Sequence, residues 1–489
     1  MTPPVDGEAP ERARARANVE LRRYELLSFL RIPLALGVSI GVAMAIFQLP
    51  QPMGIVIGAA LLPAILLALK FLRDAAWGVY AIYFVEIFRP QDQWRVLRRL
   101  SPSFTLVFLV GLIFLIQFFT VRRRRFIWTP HSTAFLALFG IMGLTIFTAS
   151  NTPAAYFRFL AMSTIVADFF LATNLIDTRA KLSRFVRICL CVYLALTLKG
   201  IYGFVRRGSV AFLDTAGGFL GDENDFALAI LVFLPFAFFG MLLWRKRVHR
   251  IFAASAFFTL ALGVVLTFSR GGTVGLIAVL LFCWWRSKRR GPILMTMVIL
   301  VGFLVAVAPA SYWKEVSSIS NTSDGTAQVR RNYWDAGWRM YLDHPVLGVG
   351  LGNSGWSLPS YYPGRNPGRQ WNRALHSTYF EVLAELGTAG ALAFLAILAA
   401  IWRSLNRADR LDGLSRDETR ERDFLTSSIR AGLIGYLVPA FFLSTIVYPH
   451  LYLLLALAAL VSIHYRRAAP AELVTAAPSE PTPALEGLA

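Results

Sequence analysis

Charge is scarce in this chain. Only 16% of its 489 residues are Asp, Glu, Lys or Arg, and 56% are hydrophobic, where soluble domains carry roughly a quarter charged residues. That shortage excludes an ordinary water-soluble globule and points to a protein that crosses a membrane many times. Acidic residues are scarcer still: 29 stand against 49 Lys and Arg, for a formal net charge of +20. So basic a balance raises nucleic acid as a partner. The Lys and Arg, however, fall in short clusters between apolar runs, the pattern of loops on the cytoplasmic side of a membrane, so membrane lipids and not nucleic acid are the expected contact. Cysteine is nearly missing. Cys189, Cys191 and Cys283 all sit in apolar stretches, which excludes a disulfide framework and a cysteine metal site and leaves them as small packing residues.

Several motifs are missing as well. There is no P-loop, no paired Asp-rich motif and no Cys/His zinc spacing, so no cofactor and no resident metal are expected. "GVGLG" (348–352) lacks the spacing of a dinucleotide loop, and "NTS" at 321 matters as a glycosylation signal only in a eukaryotic secretory route. No cleavable signal peptide is expected either. The first 28 residues are basic and polar, and no small-residue cleavage site follows the first apolar run.

What is present is a succession of apolar runs, read against the ~20 residues that cross a hydrocarbon core as a helix. They lie near 29–49, 53–72, 75–88, 104–120, 131–149, 160–176, 185–204, 225–243, 251–268, 271–285, 291–309, 378–402, 429–446 and 450–465. The fold expected is an all-α polytopic membrane protein with about 12–14 transmembrane helices. With the N-terminus inside, strict alternation puts "KFLRD", "VRRRRF", "TRAKLSR", "WRKRVHR", "RSKRR", "RSLNRADRLDGLSRDETRERD" and "HYRR" on the cytoplasmic side. Two basic stretches fall on the other side, "RPQDQWRVLRRL" (89–100) and "VRRGSV" (205–210). Each marks either a miscounted span or a place that holds anions, and for Arg206 and Arg207 the second reading is preferred.

The expected organisation is a basic cytoplasmic segment (1–28), membrane helices with short loops (29–309), a periplasmic helical lobe (310–377) and C-terminal membrane helices (378–467). A cytoplasmic amphipathic linker is expected near 403–428, and the Pro- and Ala-rich tail 468–489 is expected to be disordered. The lobe carries five of the twelve tryptophans: Trp313, Trp334, Trp338, Trp356 and Trp371. "VRRNYWDAGWRMYLDH" repeats its apolar positions at helical spacing, and "HPVLGVGLGNSGW" follows as a turn-rich stretch.

The chemistry must then rest on arginine and histidine. Arg270 heads the apolar run that follows "LTFS". A permanent cation at a helix centre costs about 2.5–3.5 kcal/mol on insertion scales, so Arg270 either snorkels or meets something anionic. Arg158, Arg206 and Arg207 also lie at outer helix ends. Converging guanidinium groups would fit phosphate, whose geometry they match in bidentate fashion. His131, His249 and His464 neighbour basic inner loops and read as solvated, His450 falls in an outer turn, and His344 ends a helix before Pro345. His376 ends the lobe and opens a membrane helix at the boundary plane of Arg270, where an imidazole can serve as general base.

Together, "LTFSRGG" (266–272), "RRNYWDAGWRMYLDHPVLGVGLGN" (330–353), "LHSTYFEVLAELGTAGAL" (375–392) and "GGFLGDENDFALAILVFLP" (217–235) resemble the O-antigen ligase/polymerase family of bacterial envelope glycosyltransferases, over roughly Lys199 to Gly390. The resemblance implies a GT-C-like membrane fold with one large periplasmic loop, in the bacterial inner membrane with its active site facing the periplasm. It implies an undecaprenyl-diphosphate-linked glycan as donor and a glycan or lipid A-core as acceptor. Arg270 matches the arginine implied to grip the diphosphate, and His376 matches the histidine implicated as base. Arg207 or Arg206 stands where the family has a second diphosphate-binding arginine, at longer spacing, while Arg330 and Arg158 are further candidates for donor or acceptor contacts. His376 is followed by Ser where many members carry Asn. The expected function is O-antigen ligation, with polymerisation by the same family or lipid-linked sugar transport as alternatives. A transporter would be expected to show related halves, and no internal repeat is evident.

Overall fold

Apolar runs become helices here because the backbone in lipid has no water to compete for its hydrogen bonds, and several runs are opened by a polar cap. The computed structural model describes residues 70, 74–93, 101–120, 125–208, 210, 221–287, 290–307, 310, 313, 325–364 and 366–465. The segment 1–28, the spans near 29–49 and 53–72 (Lys70 apart) and the tail 468–489 lie outside these residues. Every described element is helical. In chain order they are α1 (Ala76–Phe88), α2 (Pro102–Thr120), α3 (Pro130–Leu144), α4 (Thr152–Leu175), α5 (Arg179–Arg207), α6 (Glu223–Leu243) and α7 (Arg247–Val265). They continue with α8 (Arg270–Arg286), α9 (Arg290–Val307), α10 (Gly325–Asp343), α11 (Ser354–Tyr361), α12 (Thr378–Asp409), α13 (Arg416–Ala440) and α14 (Pro449–His464).

The caps are the residue types that satisfy orphan N–H groups. Thr129, Asn151, Thr178, Asp222, Ser269 and Ser415 each accept a backbone N–H in the first turn of the helix they open. Among the described residues seven helices are long and apolar enough to cross a membrane: α2, α3 with its following 3-10 turn, α4, α5, α6, α7 and α12. At 13, 17 and 16 residues, α1, α8 and α14 are shorter.

The bundle is built around α6, whose residues Phe226 to Gly240 are all buried. A helix apolar all round has to be enclosed, and α6 packs chiefly on α13 and α7. Gly432 and Gly435 of α13 permit the closest approach, since a Cβ on either would lie 2.5 Å from the carbonyl oxygen of Val232 or Leu231. At the periphery α2 and α9 expose Phe104, Phe108, Phe119, Met295, Val298 and Ile299, surface suited to lipid.

The basic loops gather at one end. Lys181 pairs with Asp74 at 3.1 Å, Arg179 with Glu418, and Arg245 with Asp417 at 2.7 Å, while Arg179 Nε donates to the His464 carbonyl at 3.3 Å. Helices α12 and α13 extend through most of the expected linker, running to Asp409 and from Arg416. Arg430 ties them through Asp409 at 2.7 Å and Asn406 at 2.9 Å. Of the stretch 89–100, Arg89 pairs with Asp92, and 94–100 lie outside the described residues.

Two histidines read as solvated are not. His131 sits in the first turn of α3 facing α12, 1% exposed, with Nε2 at 3.0 Å from Ser404 Oγ. His464 is half-buried, with Nε2 at 2.9 Å from the Ile176 carbonyl. His450 belongs to the first turn of α14, fully buried with Nδ1 2.8 Å from Tyr193 Oη. His131 and His450 each follow a proline in the first turn of a helix, and the packing partner across the bundle is not visible from the neighbouring sequence.

At the opposite end α12 is interrupted. Gly387 has φ 63° and ψ −161° inside it, and the chain between α10 and α11 fills the gap. Val349 N donates to Ala384 O (2.8 Å), Gly350 N to Glu385 O (3.1 Å), Thr388 N to Pro345 O (2.8 Å) and Ala389 N to Val346 O (3.2 Å). This backbone exchange needs close approach: a Cβ at Gly348, where φ is 68°, would lie 2.6 Å from Leu386 N, and one at Gly387 2.7 Å from Leu347 N. Gly413, at φ 80°, faces open space. Gly413→Ala is therefore expected to cost only the left-handed strain of about 1 kcal/mol. Gly348→Ala should cost well over 2 kcal/mol, because the backbone exchange must also open. Thermal unfolding of the purified variants measures the difference, and equal shifts would contradict the docked arrangement.

Candidate functional site

The site begins where two helices start side by side. Asp222 caps α6, accepting from Asn224 N at 2.8 Å, Asp225 N at 3.3 Å and Asn224 Nδ2 at 2.9 Å. Ser269 caps α8, accepting from Gly272 N at 2.9 Å while its own hydroxyl donates to Asn224 Oδ1 at 2.6 Å. The side chains of Asn224 and Ser269 thus stitch the two N-termini together. Arg270, the first residue of α8, is half-buried at this seam. The chain reaches it through Phe268 with φ 48°, a left-handed conformation that costs a bulky residue energy.

The lobe closes on the same seam. On α10, Arg330 precedes Trp334 by one turn, and Trp334 Nε1 donates to the His376 carbonyl at 3.4 Å. Its ring stacks on Phe380, centroids 5.7 Å apart, and meets Phe441 edge-on at 5.2 Å. Tyr333 stacks near the His376 imidazole at 6.1 Å and donates to Gln370 Oε1 at 2.7 Å. His376 itself has φ 53°. Both short segments that deliver a site residue therefore contain a non-glycine in the left-handed region, and such strain concentrates at functional sites. Beyond His376, Thr378 Oγ1 donates to Leu443 O at 2.6 Å and accepts from Thr445 N at 3.0 Å, fixing the loop before α14.

Electrostatics shows which of these groups face each other. Burial and then the Arg270 guanidinium push the Arg330 pKa down, with Asp222 working in the opposite direction; the guanidinium remains protonated nonetheless. Burial, then Arg330, lowers the His376 pKa; Asp222 opposes this and Arg373 adds to it. Arg270, Arg330, His376 and Asp222 therefore share one neighbourhood, although they come from α8, α10, the lobe's last loop and the cap of α6. Two guanidinium groups repel one another until an anion bridges them. An uncharged imidazole beside them can take a proton from a hydroxyl.

Arg158 lies in an adjoining group. It acts electrostatically on Glu381 and Tyr448, and its side chain passes directly beneath Gly352, where a Cβ would lie 2.9 Å from its Cγ. Tyr448 Oη donates to Asp225 Oδ2 at 2.9 Å, so this group meets the first one across the opening turn of α6. Arg158 is exposed. Glu385, 2% exposed, organises the lobe side: its carboxylate accepts from Gly352 N (2.6 Å), Ser354 N (3.2 Å) and Ser354 Oγ (2.6 Å). Asn353 anchors the same loop to the start of α4 through Ser150 Oγ (3.1 Å) and Asn151 N (2.7 Å).

Arg206 and Arg207 are exposed in the last turn of α5. The contacts described for them are local: Arg206 lies over the Tyr202 ring at 6.0 Å and Arg207 acts on Lys199. Phe204, just before them, meets Phe268 at 5.8 Å, so this helix end is beside the Arg270 segment. Most of 209–220, which continues from it, lies outside the described residues.

Sequence reasoning passed over Asp222, Asn224, Glu381 and Glu385. Asp222 carried a signal, an N-cap residue before an apolar run. The two glutamates carried none, since a carboxylate near the start of an apolar helix reads the same whether it faces water or a lobe.

Residues 255–395 match the family model described as O-antigen ligase. The matched stretch contains Arg270, Arg330, His376 and the whole lobe between them, and it supports the resemblance read from the motifs. No curated protein matches the chain. With its apolar helices, the chain is a multi-pass membrane protein that is similar over residues 255–395 to O-antigen ligases.

Removing the Glu385 carboxylate leaves three donors without their acceptor. Glu385→Ala is expected to destabilise by about 2–4 kcal/mol, against about 1 kcal/mol for Ser354→Ala, which removes one bond. Thermal melts of the two variants compare these costs, and a harmless Glu385→Ala would show that the loop is held by something else.

Proposed function

We propose that this protein transfers a glycan from undecaprenyl diphosphate to an acceptor hydroxyl at the periplasmic face of the bacterial inner membrane. In this reading it is an O-antigen ligase with lipid A-core as acceptor. The observation that carries the reading is the meeting of Arg270, Arg330 and His376, from three separate segments, at a half-buried seam on one end of the bundle. The O-antigen ligase-like match over 255–395 supports the reaction class.

In the proposed step the acceptor oxygen attacks the anomeric carbon of the donor sugar from the face opposite the diphosphate. The new C–O bond forms as the sugar–phosphate bond breaks, which inverts the anomeric centre. Electrons of the breaking bond pass to the diphosphate, whose growing charge Arg270 and Arg330 meet without reorganising. The hydroxyl proton goes to His376 and from there to solvent. Because the donor already carries an activated leaving group, the step draws on no nucleotide hydrolysis, and the guanidinium pair fills the role that a metal takes in other transferases. Arg206, Arg207 and Arg158 lie on the flanks, where they would contact the donor's lipid end or the incoming acceptor.

Transport of a lipid-linked sugar finds some support in the break of α12, since interrupted helices hold substrate in carriers. Here, however, the lobe's backbone takes up the N–H and carbonyl groups of the break.

A purified enzyme given a lipid-linked glycan and either lipid A-core or a second lipid-linked glycan tests the reading and its acceptor together. His376→Ala and Arg270→Ala are each expected to cost at least 100-fold in transfer while the protein still folds; full activity in either would remove its assigned role, and transfer only to the second glycan would make the enzyme a polymerase.

The pH profile adds a second check. A base must be unprotonated, and burial with Arg330 holds the His376 pKa below its ordinary value of about 6.5. The acid limb of the activity should accordingly fall below that value. Arg330→Gln should move the limb up, because it removes a lowering charge, and Asp222→Asn should move it further down. A limb that ignores both substitutions would argue that another group is the base.

A further inference from the structure

The end of the bundle remote from Arg270 carries a cavity that the transfer reaction does not use. It has a volume of about 410 Å³ and opens among α5, the turn from α6 into α7 and the start of α13. Three basic segments far apart in sequence meet there. Arg187 comes from the first, Arg245 and Lys246 with His249 from the second, and Arg420 from the third. Only Asp417 and Glu421 bring negative charge to the lining, and Asp417 is already paired with Arg245 at 2.7 Å. Four permanent cations against two carboxylates leave the cavity positive.

Its floor is apolar. Trp244 and Phe424 lie with ring centroids 5.5 Å apart, Leu243 lines the wall beside them, and the His249 ring meets Trp244 at 6.1 Å. Arg187 is half-buried and oriented by a 2.8 Å bond from its Nη1 to Ser183 Oγ. The depth of the cavity follows from α6, which starts at the Arg270 seam and ends at Leu243 after 21 residues. At about 1.5 Å per residue that is roughly 30 Å, the thickness of the hydrocarbon core. The cavity thus sits at the opposite membrane surface from the transfer site. Beside its mouth, α7 turns Val248, Ile251 and Phe258 outward, at 75%, 60% and 48% exposure, which is surface for acyl chains.

We propose that this cavity binds the phosphate of an anionic membrane lipid, with the headgroup between Arg187, Lys246 and Arg420 and the acyl chains along the outer face of α7. Guanidinium groups suit phosphate, and basic pockets between membrane helices on the side rich in Lys and Arg are where anionic headgroups bind. A free phosphate would satisfy the cations alone, whereas a lipid held here by its headgroup also lays its acyl chains along the adjoining apolar face of α7.

The full chain, purified in a neutral detergent, can be titrated with phosphatidylglycerol, with phosphatidylcholine and with inorganic phosphate while its melting temperature and bound lipid are followed, the latter by native mass spectrometry. Phosphatidylglycerol should bind and raise the melting temperature by several degrees, whereas phosphatidylcholine and millimolar phosphate should not. Lys246→Gln with Arg420→Gln should weaken phosphatidylglycerol binding at least tenfold, with the lipid-free melting temperature unchanged to show that the fold is intact. Arg403→Gln, an exposed cation outside the cavity, should leave binding as it was. Undiminished binding by the double variant overturns the proposal, as does an equal loss in Arg403→Gln, which would mean diffuse attraction. Inorganic phosphate matching the lipid would assign the cavity to a soluble anion and overturn the lipid as its occupant.

Discussion

Two cations held side by side at the rim of an apolar bundle are the constraint around which the protein is arranged. Arg270 and Arg330 sit close enough that the Arg270 charge lowers the Arg330 pKa, and guanidinium groups do not relieve such crowding by losing a proton. Their placement has to be imposed from outside. Arg270 is held by the cap that Ser269 gives α8 and by the bond from Ser269 to Asn224. Arg330 is held through α10, whose Trp334 is wedged between Phe380 and Phe441. Asp222 offsets part of the repulsion. The left-handed backbone at Phe268 and His376 is a further cost borne by the same small region.

The lobe and the membrane helices are one construction. The loop between α10 and α11 supplies hydrogen bonds that α12 lacks at its break, and Glu385 of α12 accepts the backbone donors that this loop presents. Asn353 adds a tie to the start of α4. These are buried, well-formed polar contacts, and a buried donor left without an acceptor costs more than a bond in water gains. The placement of Arg330 near His376 therefore rests on contacts made as far away as α4.

Much of this architecture was legible in the sequence. Apolar runs between 75 and 465 became helices, since in lipid the backbone has no alternative to bonding itself. Most lie within a few residues of expectation, but α4 starts at Thr152, α12 runs on to Asp409 and α13 starts at Arg416, where 160, 402 and 429 were expected. Among the described residues, the basic segments around Arg179, Arg245 and Arg420 meet at one end of the bundle. Of the site, Arg270 and His376 stood out because an arginine at an apolar helix start and a histidine at a lobe's end are anomalies of position, whereas Arg330 could be named only through the family resemblance. Their convergence could not be read, as it depends on side-chain pairings such as Asn224 with Ser269 that are local in space and 45 residues apart in the chain. The same limit applies to His131, whose neighbours in sequence are basic while its neighbour in space is Ser404. "HPVLGVGLGN" showed itself as a turn but not as the patch for a broken helix, because glycine permits a close approach without stating what approaches.

The break at Gly387 bears on how this protein can be rebuilt. A segment that completes the hydrogen bonding of a membrane helix is not an interchangeable module. Grafting the entire extramembrane region from a relative would transplant half of an interface and leave α12 with mismatched backbone. Substitutions that leave this interface intact are better placed on the outward side of α10, around Trp338 and Leu342, which are 45% and 57% exposed. Neither the segment 345–350 nor the broken turn of α12 completes its backbone hydrogen bonding without the other, so the two must form together.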